Sequence, residues 1–318
     1  MSHSYDPIVV KAFRGKPVQD VLKAAPDALK GVSAEDAQRL KQSFGVDTVR
    51  ELAENPYFHR AMAVLAGAGV PRFDPGPPLD WEAFFAEAPL QHYQQFPEQF
   101  RLDFGPVYYR GRLDGSARVL IVGQDPSVNE ILAHRIFVGR SGQRIQGFLK
   151  KLGVTRSYLM LNTFLYSVHG QFFSELENLS GQDPILSYRN AYLDRLVRNN
   201  PVEAVVAVGR GGQHAVANWP GRSGVPVVEM FHPSFRDEQR LLADWNAALQ
   251  ELHPVVEPDD GEQADPNPYG QSFSATDIQR IPTYDLPFGL PDWHGDGSHA
   301  QRDNTNGKKR IVWQAPEI

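Results

Sequence analysis

The chain has 318 residues, 41% hydrophobic and 22% charged, with a formal net charge of −6 and no cysteine. This composition is ordinary for a folded protein. It excludes disulfides, cysteine nucleophiles and thiolate-held zinc or iron–sulfur clusters, and it speaks against a chain that coats nucleic acid through bulk positive charge. No apolar run reaches the ~18–20 residues of a membrane span, and the stretch Met1 to Pro17 lacks the basic start and apolar core of a signal peptide. The histidines show no metal-ligand spacing such as His-Glu-x-x-His. The expectation is a cytoplasmic protein without metal or cofactor.

Residues 18–70 read as helical. Val21, Leu22, Ala25 and Leu29, then Leu40, Phe44, Val49 and Leu52, recur at helical spacing. Ser33, followed by Glu35 and Asp36, predicts a helix N-terminus. The stretch from Leu29 through Gly31-Val32-Ser33 to Thr48 resembles a helix-hairpin-helix. That motif binds DNA phosphate through backbone N–H groups at a Gly-x-Gly turn. Ser33 stands where the second glycine belongs, so a DNA-binding hairpin and a purely structural one both stay open. The Pro- and Gly-rich run 71–80 interrupts regular structure. It divides a helical region, 1–75, from a core, 76–254. An acidic linker and extended tail occupy 255–318.

In the core, Trp81 to Leu90 predicts a short helix with an aromatic face, and Val107–Leu113 with Asp114-Gly115 predicts a hairpin leading into the strand at 118. Strands then alternate with helices. The strands are 118–122, 158–164, 203–209 and 225–231; the helices are 142–152, 185–199, 211–218 and 237–252. The alternation predicts an α/β fold with a central, mostly parallel four-stranded sheet flanked by helices. After Pro254, acids from Glu257 to Asp265 lie among Pro and Gly. Phe273, Tyr284, Phe288, Trp293 and Trp313 further on are apolar enough to dock on the core. No mechanism attaches to the glycine-rich loop Asp292–Arg302.

The first strand, Val119 to Val122, is apolar on both faces, as a buried parallel strand reads. It hands over to Gly123-Gln124-Asp125-Pro126-Ser127. Ligands bind outside the carboxyl ends of such strands, so Asp125 either carries chemistry or caps the next helix. The second strand ends in Asn162 and the fourth in His232. A carboxamide can pair with a base edge, an imidazole can donate to a developing oxyanion, and a carboxylate can position water or stabilise a sugar cation. Between Glu130 and Glu175 there is no acid, while Arg135, Arg140, Arg144, Lys150, Lys151 and Arg156 fall there. This basic island reads as a phosphate-contacting face.

These residues resemble the uracil-DNA glycosylase superfamily. Gly123-Gln124-Asp125-Pro126 matches the first motif of its prototypical branch, and Phe137-Val138-Gly139-Arg140-Ser141-Gly142 resembles the Phe-Val-Gly-x-x-Gly segment of its iron–sulfur branches. Leu161-Asn162-Thr163 resembles the base-reading strand, and His232-Pro233-Ser234 matches the second motif. Order and spacing agree over roughly residues 105–252. The resemblance implies a monofunctional DNA glycosylase that leaves an abasic site, with a flipped nucleotide of DNA as its partner. Asp125 and His232 would be catalytic; Gln124, Phe137, Asn162 and Ser127 would form the base pocket. Arg140, Ser141, Gly142, Arg144 and Ser234 would contact DNA, and Phe235 or Arg236 would fill the vacated stack. Uracil is the default base. Ser127 stands where the prototype has a tyrosine that blocks the C5 face, so a C5-modified pyrimidine, such as hydroxymethylated or glucosylated cytosine of phage DNA, is the alternative, in antiviral defence. A non-catalytic reader of modified bases is a further one.

Overall fold

The computed structural model describes residues 8–58, 72–170, 172, 174–260, 264–290, 294, 301–303 and 310–312. It divides into two compact units, Met1–Arg72 and Phe73–Ile318.

In the first unit, α1 (Val18–Lys23), α2 (Ala34–Phe44) and α3 (Val49–Ala53) are short, and α2 and α3 are capped by side chains. Ser33 and Asp36 close a capping box at α2, and Thr48 and Glu51 do the same at α3. Each box satisfies backbone donors that a helix start leaves open. At α2 the group facing those donors is a carboxylate of the chain itself, at the place where the hairpin motif receives phosphate.

The second unit is built on a five-stranded sheet. Its elements begin with α4 (Leu79–Ala86), α5 (Leu90–Tyr93), β1 (Phe100–Arg101), β2 (Arg110–Gly111) and β3 (Val119–Gly123). They continue with α6 (Val128–Ala133), α7 (Arg140–Lys151), β4 (Tyr158–Asn162), β5 (Ser167–Val168), α8 (Ser174–Ser180) and α9 (Ile185–Asn199). β6 (Ala204–Val208), α10 (Gly209–Ala217), β7 (Val227–Met230) and α11 (Glu238–Leu252) complete the alternation. The sheet order is β2-β4-β3-β6-β7. The four predicted strands are all present and mutually parallel. The fifth, β2, is antiparallel and pairs with β4. The predicted hairpin between residues 107–113 and the strand at 118 is therefore not made. Gly111, at φ 110°, packs where a Cβ would lie 2.3 Å from the Tyr158 carbonyl oxygen. That close approach seats the segment on β4 instead.

Period-two alternation sends the strands' side chains to two cores. Val119, Ile121, Met160 and Val206 pack under α7 and α11, against Phe148 and Trp245. Leu120, Val122, Leu161 and Val205 pack under α4 and α9, against Trp81 and Tyr192. With both faces covered, the parallel strands read as unbroken apolar runs. The chain passes from β3 to β4 on one side and then crosses back to β6 on the other. The carboxyl end of β3 is thus the switch point at which open sheets bind ligands.

The chain beyond residue 254 is fastened to this unit. Asp259 accepts the backbone N–H groups of Thr155, Arg156 and Ser157 at 2.6–2.8 Å. Lys151 pairs with Asp265 and Asp277 at 2.7 and 3.0 Å. Asp285, wholly buried, meets Arg110, Arg112 and the Tyr158 hydroxyl. Among the described tail residues, β8 (Gln301–Asp303) and β9 (Arg310–Val312) form an antiparallel pair. Trp293, Trp313 and most of the loop Asp292–Arg302 lie outside the described residues; within it His294 is buried and its Nε2–H donates to the Asn129 carbonyl at 3.0 Å.

Candidate active site

Asp125 follows β3 by two residues, and it does not cap α6. Ser127 is the N-cap there, with the Glu130 carboxylate reaching back to its backbone N–H. Helix α6 itself was absent from the sequence reading. Asp125 is instead gripped at both oxygens: the Val168 N–H donates to Oδ2 at 2.9 Å and the Gln124 Nε2–H to Oδ1 at 2.8 Å. These donors fix the carboxylate's plane.

The loop carrying Gln124 and Asp125 is held from its neighbours. Thr163 and Phe164 extend β4 and donate backbone N–H groups to the Gly123 and Gln124 carbonyls, both at 2.9 Å. The Thr163 hydroxyl lies 2.8 Å from the Gly123 carbonyl and 2.9 Å from that of Gly211. It ties β3 to the start of α10. Gly211 leaves room for the Gln124 side chain, since a Cβ there would meet Gln124 Cγ at 2.5 Å.

Asn162 is paired with Gly123 in the β3–β4 register. It is 6% exposed, and its Nδ2 is buried with no hydrogen-bond partner among the described residues. A buried amide left open costs roughly 1–3 kcal/mol, so this donor is available to an acceptor from outside the described residues. Phe137 lies beside it, with the positive φ of 52° that a bulky residue rarely takes. A Cβ on Gly123 would meet Asn162 Oδ1 at 2.4 Å and Phe137 Cζ at 2.8 Å. Glycine at 123 therefore lets the amide and the ring close on the strand end. Gly142 in α7 has the same function for the Phe137 carbonyl, which a Cβ would meet at 1.5 Å.

His232 follows β7. The Ser234 N–H donates to its Nδ1 at 3.2 Å, and the Ser234 hydroxyl lies 2.7 Å from the same nitrogen. With Nδ1 accepting, the proton of the neutral ring is assigned to Nε2. Although part of its surface is open, the ring is closely surrounded. Burial lowers its pKa from 6.5 to about 4. At neutral pH this imidazole is an uncharged Nε2–H donor.

The remaining expected residues separate. Arg140 is exposed at the first position of α7, Ser141 is half-buried and Gly142 buried. Ser127, Ser234 and Arg236 are exposed. Phe235, 36% exposed, stacks on Phe231 at 4.4 Å with Arg240 beyond the pair. Arg144 is engaged within the protein, on the Pro233 carbonyl and Glu238. The basic island does not survive folding as a continuous face. Arg135 pairs with Asp74 at 2.8 Å and Lys151 is enclosed by tail acids. Acids distant in sequence supply what residues 131–174 lack.

Val168, Thr163 and Gly211 were not among the expected site residues. Val168 acts through its backbone and Gly211 through the space it leaves, neither of which residue type announces, while Thr163 acts through both its N–H and its hydroxyl. Gly209-Arg210-Gly211-Gly212, after the one strand lacking a polar end group, was the available signal. No group of three or more His, Asp or Glu suited to a metal occurs among the described residues, and no helix among them is long and apolar enough to cross a membrane. Residues 111–253, which include every site residue above, match the family model described as Uracil DNA glycosylase superfamily. No curated protein matches the chain.

Proposed function

We propose that the protein is a monofunctional DNA glycosylase acting on a flipped pyrimidine, uracil by default, a reading supported by the match of residues 111–253 to the uracil-DNA glycosylase superfamily model. The observation that carries the reading is the convergence at one sheet edge of three prepared groups: doubly held Asp125, the unpartnered amide of Asn162, and neutral His232. A base within a duplex is unreachable, and extrusion costs a few kcal/mol. The Asn162 Nδ2–H accounts for part of that by donating to a carbonyl on the base edge. The C1′–N1 bond breaks with its electron pair leaving on the base. Negative charge gathers at the base O2, where the His232 Nε2–H donates. An uncharged donor serves here because the field it supplies grows with the charge that develops. Asp125 faces the sugar, stabilises its oxocarbenium character and orients the water whose oxygen bonds C1′. The proton of that water passes to Asp125 and then to the departed base, leaving an abasic site.

A second reading concerns the base. Ser127 is exposed and its backbone is committed to the α6 cap, so no aromatic ring rises from this position against a C5 substituent. That favours admission of a C5-modified pyrimidine, as a phage-DNA defence function would require. Mass spectrometry of bases released from uracil-containing and C5-modified DNA tests both readings. Uracil release alone supports the first, and release of the modified base supports the second. Saturable, salt-sensitive binding with no base released from either would leave a non-catalytic DNA reader.

A further inference from the structure

We propose that Arg144 is a positioning residue for His232, completed by Phe273 of the C-terminal tail, and not a contact to DNA phosphate. The proposal rests on the glycosylase reading for its kinetic arm only. The loop after β7 is tethered at successive residues. The Phe231 N–H donates to Asp244 at 2.7 Å, and the Trp245 Nε1–H donates to the Phe231 carbonyl at 3.0 Å. Two residues on, the Pro233 carbonyl receives its hydrogen bond from the Arg144 guanidinium of α7. This carbonyl belongs to the peptide joining Pro233 to Ser234, whose N–H in turn fixes Nδ1 of the His232 imidazole. Arg144 thus anchors the segment from α7, beside the tethers from α11.

The guanidinium is itself enclosed. Its side chain is 16% exposed, its second nitrogen lies 3.6 Å from Glu238, and the Phe273 ring covers it at 4.1 Å. Phe273 is seated in turn by donating its N–H to Glu238 at 3.1 Å and by edge contacts with Trp245 and Tyr269. An arginine covered by a ring and paired with a carboxylate has its charge neutralised and its planar fork fixed. Those are properties of a bracket. A phosphate contact calls for an open cation. Phe273 lies beyond the family match, which ends at residue 253, so a residue of the tail completes the placement of a group inside the matched domain.

The test uses the full chain with Arg144→Lys and Phe273→Leu. Arg144→Lys keeps the charge and loses the fork; Phe273→Leu changes no charge. Three quantities are read: single-turnover base release from a uracil oligonucleotide, the salt dependence of binding to an undamaged oligonucleotide, and the His232 imidazole titration by NMR. Positioning predicts that both variants lose base release, up to about 100-fold for a displacement near 1 Å. The slope of log Kd against log salt stays unchanged, and His232 titrates above its wild-type value as its enclosure loosens. The proposal is overturned if both variants keep wild-type base release and His232 titration. A third variant, Arg144→Met, removes the charge, and the proposal is overturned equally if it lowers the salt slope by about 1, the signature of one lost phosphate contact. Should the wild type release no base from any DNA, the glycosylase reading fails while the imidazole titration still decides the role of Arg144.

Discussion

In the proposed reaction Asp125 and His232 would take different parts. The carboxylate has a donor on each oxygen; the imidazole has an acceptor nitrogen already occupied and burial against its charged form. Asp125→Asn keeps the shape and removes the charge, and base release is predicted to fall roughly 10²–10⁴-fold. His232→Ala removes the oxyanion donor at a cost of roughly 10²–10³-fold. Full base release by either variant would exclude the corresponding role. The pH dependence follows from the sign of the His232 shift. Its folded pKa, about 4, lies below the 6.5 of an unperturbed ring. Between these values the unfolded chain binds a proton that the native state does not, so stability falls as pH falls through that window. Denaturant melts at pH 7 and pH 4.5 measure it; His232→Gln is predicted to lessen the acid loss, and an unaltered loss would contradict the assignment.

At the scale of elements, the site is made by strand ends and by glycines that let neighbours close on them. The four parallel strands, their helices and the polar residues Asp125, Asn162 and His232 were legible because apolar runs and terminal polar groups are properties of residue type. The antiparallel β2 was read as a hairpin, since two residues of pairing leave no periodicity and the close approach of Gly111 to Tyr158 is a tertiary fact. The basic island was misread for a related reason: charge along the chain omits Asp74, Asp265 and Asp277, which only folding brings near. The glycines offer a direct check. Gly142→Ala would press a Cβ against the Phe137 carbonyl, and it is predicted to lower both thermal stability and base release, by about 1–3 kcal/mol in stability. Gly170→Ala, where nothing lies within 4 Å, is the control predicted to change neither. Equal effects from the two would refute the close-packing account.

On the scale of the whole molecule, residues 255–290 are part of the unit that carries the site. Asp285 is fully enclosed between Arg110 and Arg112, so Asp285→Asn leaves buried cations short of their partner. Breaking such a pair costs about 3–5 kcal/mol; a denaturant midpoint indistinguishable from wild type would show that the tail is not fastened there. Acid loosens the same fastening. Burial alone would raise Asp259, but the N–H donors of Thr155, Ser157 and Arg156 outweigh it and hold it below 3.8. A hydrogen bond from Lys151 lowers Asp265 in the same direction. Their contributions are complete above the unfolded value and vanish as pH falls below it. Hydrogen exchange of the tail amides is predicted to accelerate in that range ahead of the sheet's.

The central claim is that this sheet edge breaks a base–sugar bond. The measurement that tests it most directly is mass spectrometry of free bases after incubating the full chain with uracil-containing and C5-modified DNA, beside Asp125→Ala. The account predicts a free pyrimidine and a matching abasic site with the wild type, and a yield lower by orders of magnitude with the variant. No free base from any of these DNAs, or equal release by both proteins, would contradict it.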